Sequence, residues 1–260
     1  VDNLRVETVP YGTDNYCYLL ITPGAVALVD CGEAEPVLAR LKSLGRRLDA
    51  VFICHTHYDH TAGLLALIEV CPDLSVFAST MDVTTGVKHT RHITVVTDGM
   101  EVKVGGGTDA FIVSALSVPA HTSSCFNYYS GGALFTSDTL FSAGCGRLFE
   151  GSPENLLSAM DRLSAYPPGT RVYFGHEYTE SNLRFALYVE PDNTDIIEYI
   201  KEIALNARGE VTTPSTIERE IMVNPFFRID SEAVVAFVDP EGRHTRAERM
   251  GLLRRAKDRF

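Results

Sequence analysis

The stretch Cys54-His55-Thr56-His57-Tyr58-Asp59-His60 decides how this chain folds. It follows the apolar run Ala50-Val51-Phe52-Ile53, which reads as a buried strand, and precedes residues 61–70, whose Ala62, Leu64, Leu65, Ala66, Leu67 and Ile68 predict a packed helix. At a strand end, side chains two residues apart point the same way, so His55 and His57 can converge on one ion. Asp59 and His60 fall where the chain turns into the helix, which aims them at a neighbouring ion. Imidazole and carboxylate suit Zn, Fe or Mn. Capping a helix would account for Asp59 alone, and four such groups would be a costly way to fill a core.

Outward from this segment the pattern is α/β. Upstream, Asn15–Ile21 and Ala25–Val29 are β-rich runs separated by Thr22-Pro23-Gly24, a hairpin signal, and the second run ends at Asp30-Cys31-Gly32. Val37, Leu38, Leu41 and Leu44 recur at helical spacing before Gly45, and Ser75–Ala78 is a further short strand. Downstream, Ile93–Val96, Phe111–Val113, Phe126–Tyr129 and Ala133–Phe135 succeed one another between glycine-rich turns and predict a continuing, antiparallel sheet. Gly105–Ala110 fits a loose dinucleotide pattern but has no βαβ context, so it reads as a turn. Arg171–Phe174 is the last predicted strand. Ser181–Val189, Thr194–Ala207, Pro214–Glu220 and Arg243–Phe260 predict helices or helical turns, with Pro191, Gly209, Pro225 and Pro240 in the connections. The change of texture near residues 175–182 divides a sheet-rich domain, 1–178, from a helical one, 179–260.

Three more candidate ligands stand just past strand segments: His121 in Val118-Pro-Ala-His-Thr122, Asp138 in Phe135-Thr-Ser-Asp-Thr139 and His176 in Phe174-Gly-His-Glu-Tyr178. Any one alone would more often be a satisfied structural residue. Three in matching contexts point to a shared site at one edge of a sandwich. His89, His92 and His244 lack such a context and are expected at the surface or in structural roles.

Composition narrows the function. The chain has 260 residues, 45% of them hydrophobic and 22% charged, the profile of an ordinary globular protein of one large domain or one domain with a small companion. Its 23 Lys and Arg against 34 Asp and Glu give a net charge of −11, which repels nucleic acid and anionic membranes at long range. No apolar window is long enough for a membrane span. Six cysteines are scattered singly and are expected as reduced core thiols, which indicates a reducing compartment, the cytoplasm, or the mitochondrion if a targeting peptide has been removed.

With its order and contexts, the set His55-x-His57-x-Asp59-His60, His121, Asp138, His176 and Asp30-Cys31-Gly32 resembles the signature of the metallo-β-lactamase superfamily over residues 10–180. Within it, Gly144-Cys-Gly-Arg-Leu-Phe-Glu-Gly151, Gly175-His-Glu-Tyr-Thr179, Asn224-Pro-Phe-Phe-Arg228 and Arg254-Arg-Ala-Lys-Asp258 look like the glyoxalase II, or hydroxyacylglutathione hydrolase, family. The resemblance implies an αββα sandwich with a C-terminal helical domain, with catalysis in the first and substrate binding in the second. It implies two divalent ions, Zn first and Fe or Mn as alternatives: His55, His57 and His121 would hold one, Asp59, His60 and His176 the other, and Asp138 would bridge ions about 3.5–4 Å apart. Cys54 stands where relatives often have Thr, and removes no ligand.

The implied reaction is attack of a metal-bridging hydroxide on a thioester, releasing D-lactate from S-D-lactoylglutathione, a step of methylglyoxal detoxification. No Gly-x-Ser-x-Gly elbow or Cys-His pair offers a protein nucleophile. Arg254 and Lys257, three apart on the last helix, share a face and can meet a carboxylate; the resemblance adds Tyr178, Arg147 and Phe149 to the thiol-carrier pocket. Some relatives have Lys and Tyr at the last two positions, so a hydroxyl is lost at Phe149. That change and the acidic charge raise a cationic carrier, such as a trypanothione thioester, as a variant substrate. A monomer with a small-molecule partner is expected. A mononuclear-iron glutathione persulfide dioxygenase is the alternative, disfavoured by the basic last helix. A metal-dependent RNA-processing enzyme conflicts with the charge, and a non-catalytic module would bind metal without turnover.

Overall fold

The computed structural model describes residues 4–79, 93–205 and 210–260. The chain forms two compact units, Val1–Ser117 with Ser124–Ser137, and Val118–Ser123 with Asp138–Phe260.

The first unit carries two sheets. One contains β1 (Arg5–Tyr11), β2 (Asn15–Ile21), β3 (Val26–Val29), β4 (Ala50–Phe52), β5 (Ser75–Ala78) and β6 (Ile93–Val95) in that spatial order. β1–β2–β3 are antiparallel and β3–β4–β5–β6 parallel. α1 (Ala34–Leu44), α2 (Tyr58–Thr61) and α3 (Leu64–Val70) lie in the connections. The core joins Leu19, Leu28, Val51 and Val76 of the strands to Val37 and Leu41 of α1 and Leu64 and Leu67 of α3. Burying each such side chain contributes about 1.5–3 kcal/mol, which is why their sequence spacing is helical. Gly45 ends α1 at φ 63°, its N–H and that of Arg46 taking up the last carbonyls of the helix.

The other strands of this unit, β7 (Glu101–Val104), β8 (Phe111–Ser117), β9 (Phe126–Ser130) and β10 (Ala133–Ser137), pair antiparallel in the order β10-β9-β8-β7. The sheets meet through aromatic residues: the Tyr128 ring stands 5.1 Å from that of Phe52, and its hydroxyl donates to the Ile53 carbonyl at 3.0 Å.

In the second unit β11 (Leu140–Phe141) and β12 (Gly144–Cys145) form a tight hairpin. Then follow α4 (Pro153–Ser164), β13 (Arg171–Phe174), α5 (Thr179–Val189), α6 (Thr194–Leu205), β14 (Ser215–Thr216), α7 (Ile217–Val223), α8 (Glu232–Val238) and α9 (Arg246–Arg259). β14 pairs antiparallel with β13. A capping box at Ser152 and Asn155 starts α4, and another at Thr245 and Glu248 starts α9. Gly251 lets α9 approach the start of α4, because a Cβ there would lie 2.8 Å from the Pro153 ring.

Several expectations need correction. The predicted helix over 61–70 is two helices, α2 beginning at Tyr58 and α3 at Leu64. Gly63 leaves the helical ladder to donate to the Cys31 carbonyl at 3.0 Å, and a Cβ there would come within 2.7 Å of Cys31 Sγ. Ile93–Val95 pairs parallel with β5 rather than joining the antiparallel strands, as the long intervening connection permits. β1, β7, α4 and α8 are additional elements; β1 is an edge strand carrying Pro10, which blurs its pattern. The segment 214–220 opens with β14 before α7 begins at Ile217, capped by the Thr216 side chain. Residues 105–110 form a turn with one short 3-10 segment, as expected. All six cysteines are free and buried. Among the described residues no helix is long and apolar enough to cross a membrane. His244 is surface-placed beside Glu248, while His89 and His92 lie outside the described residues.

Candidate metal centre and adjoining cavity

In the first unit the segment after β4 gathers four of the predicted ligands. His57 immediately precedes α2, and His55 Nε2 stands 3.1 Å from His57 Nδ1. His60 is wholly buried, with Nε2 3.5 Å from Oδ2 of the half-exposed Asp59. The loop is fixed from outside. Tyr11 donates to the Asp59 carbonyl at 2.7 Å and Asn15 Nδ2 to its carboxylate at 3.0 Å. Gly32 packs so close that a Cβ would lie 2.0 Å from the Asp59 carbonyl oxygen. This contact explains the glycine in Asp30-Cys31-Gly32.

Asp30 organises the cluster from beneath. Buried and at φ 58°, it accepts the Cys54 N–H through Oδ1 at 2.8 Å. Its Oδ2 stands 2.7 Å from Ser137 Oγ and 3.0 Å from His60 Nδ1. Asp30, His55 and His60 offer atoms within 4.8 Å of one another. Both Asp30 oxygens are already engaged, so its chemistry is to hold the His60 ring by Nδ1 and leave Nε2 available, the carboxylate–histidine arrangement common behind metal ligands. Burial, and secondarily the Asp30 charge, pushes the Cys31 thiol up to about 12, so it is inert.

In the second unit His121 and His176 converge on one carboxylate oxygen, their Nε2 atoms 3.5 and 3.4 Å from Asp138 Oδ2. His121 Nδ1 stands 2.8 Å from the Arg147 carbonyl oxygen, which again turns Nε2 toward the carboxylate. The Tyr178 ring stacks on His176 at 4.9 Å and 3°.

The donor set fits divalent ions. Two ligands on a tetrahedral ion at 2.0–2.1 Å stand about 3.4 Å apart. The His55–His57, Asp59–His60, His121–Asp138 and His176–Asp138 spacings run from 3.1 to 3.5 Å, and the donors are the imidazole and carboxylate groups that Zn, Fe and Mn accept.

His121 and Asp138 also line a cavity of about 840 Å³ in the second unit, where Arg147, Phe149, Tyr178, Arg254 and Lys257 come together. Their states differ. Arg254 is buried, donating to the Cys145 carbonyl at 2.7 Å and to Asp258 at 3.1 Å, so much of its charge is already engaged. Lys257 Nζ donates to the Ser181 carbonyl at 3.1 Å. Burial first, then the neighbouring Arg254, lowers its ammonium to about 8. Arg147 is mostly exposed, 3.8 Å from Asp258, and Phe149 sets its ring edge-on to His121 at 5.2 Å. The cavity also uses Phe141, Ser181, Asn182, Arg184 and Phe260. No motif marks these; the roles of Asp30 and Ser137 beneath His60 were likewise silent, although Asp30-Cys31-Gly32 lies at a strand end.

Residues 10–176 match the family model of the metallo-beta-lactamase superfamily, and residues 177–260 match that of the hydroxyacylglutathione hydrolase C-terminus. The chain is 38% identical over 260 residues to the hydroxyacylglutathione hydrolase of Photobacterium profundum, covering 99% of this chain and 100% of the relative. It is 41% identical over 240 residues to that of Synechococcus sp. strain JA-2-3B'a(2-13), covering 90% and 92%. Among solved structures, ETHE1 from Myxococcus xanthus superposes with a TM-score of 0.63 at 23% identity, covering 97% of this chain and 96% of that one. This likeness shows a shared fold; the family model over residues 10–176 makes it that of the metallo-β-lactamase superfamily, an α/β architecture, here followed by a helical C-terminal region. The chain belongs to the hydroxyacylglutathione hydrolase family, thiolester hydrolases of the metallo-β-lactamase superfamily.

Proposed function

We propose that this chain is a two-metal thioesterase that hydrolyses S-D-lactoylglutathione, or a close lactoyl thioester, to D-lactate and the free thiol. The observation that carries the reading is the pair His121 and His176 converging on Asp138 at ion-compatible spacing, in the unit whose cationic cavity is lined by His121 and Asp138. Support comes also from the relatives named for this activity. In this reading His55, His57 and His121 hold one ion and Asp59, His60 and His176 the other, with Asp138 shared; Zn is the first choice and Fe or Mn the alternatives. The ligands come from 1–178, which also supplies Arg147, Phe149 and Tyr178 to the carrier, while 179–260 adds Arg254 and Lys257, the division of labour we assign to the two domains.

Bound divalent ions supply Lewis acidity and bring the pKa of water toward neutrality. The protein does the rest. Asp30 and the Arg147 carbonyl hold His60 and His121 in the tautomer that presents Nε2. Lys257, Arg147 and Arg254 receive the carboxylates of the thiol carrier, and Tyr178 and Phe149 wall the cavity beside the His ligands. The concentration of Arg147, Arg184, Arg254 and Lys257 in one cavity of a chain of net charge −11 favours glutathione, a net anion, over a polyamine-linked carrier such as trypanothione. We place the reaction in the cytoplasm.

The test is elemental analysis of purified protein with a lactoylglutathione assay that follows D-lactate and thiol. Two ions per chain and equal release of both products are expected, with a higher kcat/KM for the glutathione thioester than for the trypanothione one. One iron per chain with oxygen uptake on adding glutathione persulfide would replace this reading with the dioxygenase.

A further inference from the structure

Asp138 and Arg147 are joined by the hairpin β11–β12, and side chains from the helical region grip its tip. Glu220 of α7 is fully buried. Its Oε2 accepts the Ala143 N–H at 2.8 Å and Asn224 Nδ2 at 2.9 Å; its Oε1 accepts Ser215 Oγ at 2.5 Å and Ser142 Oγ at 3.3 Å. Asn224 Nδ2 also reaches the carbonyls of Phe141 and Gly144, at 3.3 and 3.0 Å, and Asn182 Nδ2 of α5 donates to the Ser142 carbonyl at 3.0 Å. Thus one amide and three carbonyls of a four-residue tip are held by three side chains.

Ala143 needs such a grip. It stands at φ 54°, a left-handed conformation that is strained for a residue with a Cβ. At the base of the hairpin the Gly146 N–H donates to the Thr139 carbonyl at 3.3 Å, a Cβ on Gly146 would lie 1.9 Å from the Asp138 carbonyl oxygen, and the Arg147 carbonyl holds His121 Nδ1. With contacts this close, a displaced tip moves Gly146 and Arg147, and with them His121 and the backbone of Asp138.

We infer that Glu220, Asn224 and Asn182 are positioning residues for the metal ligands Asp138 and His121, so that the helical region helps to build the metal centre as well as the substrate cavity. The inference rests on the two-metal reading above. Its chemistry also predicts which substitution is tolerated. Toward Ala143 and Asn224 only an acceptor fits, since both present N–H groups. Toward Ser142 and Ser215 a donor fits as well, because hydroxyls accept. A glutamine can therefore replace Glu220, with its oxygen toward Ala143 and its NH2 toward the serines, whereas an alanine cannot.

The experiment titrates zinc into metal-stripped protein against a chromophoric chelator and measures hydrogen exchange at the Ala143 amide. Wild type, Glu220→Gln, Glu220→Ala and Asn182→Ala are compared with Glu190→Ala. The last removes another buried acid of the same unit, one that pairs with Arg228 at 2.8 Å instead of the hairpin. Glu220→Ala is expected to weaken zinc binding roughly 10–100-fold and to speed Ala143 exchange, Glu220→Gln to match wild type, and Glu190→Ala to keep its zinc affinity despite lower thermal stability. Should Glu220→Ala fail to fold, Asn182→Ala, which removes a single hydrogen bond to the hairpin, carries the test with a several-fold weakening. Wild-type zinc affinity in the folded alanine variants, or an equal loss in Glu190→Ala, overturns the clamp. A wild type that takes up no zinc overturns the two-metal reading and the clamp with it.

Discussion

His121 Nδ1 and the Arg147 carbonyl oxygen stand 2.8 Å apart, so a proposed metal ligand and a cavity-lining residue are fixed by one hydrogen bond. A carbonyl only accepts, so Nδ1 carries the proton and Nε2 presents its lone pair toward Asp138. Between them in sequence, Gly146 has room for no side chain.

Gly146→Ala is therefore expected to displace the Asp138–Arg147 segment, weakening metal affinity by roughly 10–100-fold, the usual effect of disturbing the groups behind a ligand. Far-ultraviolet circular dichroism should stay near wild type while elemental analysis shows depleted metal. Full metal content would mean that the loop accommodates a methyl group.

Asp138→Ala should lower metal stoichiometry and hydrolysis rate together, because it removes the carboxylate on which His121 and His176 converge and which, in the proposed two-metal reading, both cations would share. Metal content and initial rates measured on the same preparations check this. Two retained ions with a lost rate would assign Asp138 a purely chemical role.

Lys257 gives the cavity a pH limit. Below about 8 its ammonium is charged, and above that it is neutral. The groups facing it are Arg254 on α9, Arg184 and the Ser181 carbonyl on α5, the Phe185 ring and Cys145. KM for an anionic thioester should rise several-fold as pH passes upward through 8, with kcat changing less, and Lys257→Arg should flatten the rise because a guanidinium stays charged. Stability follows the opposite trend. Between about 8 and 10.5 the unfolded chain binds this proton more readily than the folded one, so stability rises with pH across that window. A pH series of KM and of the thermal midpoint tests both.

The His55–His60 segment was legible because its chemistry and its fold signal coincide: four metal-binding groups between a strand run and a helix run. His121, Asp138 and His176 could be located as candidates by their places after strands. What convergence required of the chain between them was hidden. Glu220 reads as one acid among many in an amphipathic segment, and only the folded structure places it under Ala143. Arg254 reads as an exposed cation at helical spacing, yet it is buried against Cys145 and Asp258. α4 was announced by Ser152-Pro153-Glu154-Asn155, a cap followed by proline at the first helical position, a signal eclipsed by the motif around Cys145. The single apolar pattern over 61–70 conceals its break at Gly63, because the need for glycine there arises from Cys31 and Ala34, distant in sequence.

Among the described residues, three other than glycine, Asp30, Ser137 and Ala143, hold left-handed backbone. For the first two the side chain justifies the strain, since both bond within the His60 support. Ala143 contributes its amide to Glu220 and its methyl to a buried cluster with Leu183, Ala186 and Ile196, so an engineer seeking heat tolerance meets two opposed effects there. Ala143→Gly keeps the N–H and relieves about 1–2 kcal/mol of left-handed strain, but gives up a buried methyl worth about 0.8 kcal/mol and adds freedom to the unfolded chain, so the unfolding midpoint should stay near that of wild type. The same exchange at Asp30 would silence the centre it relaxes.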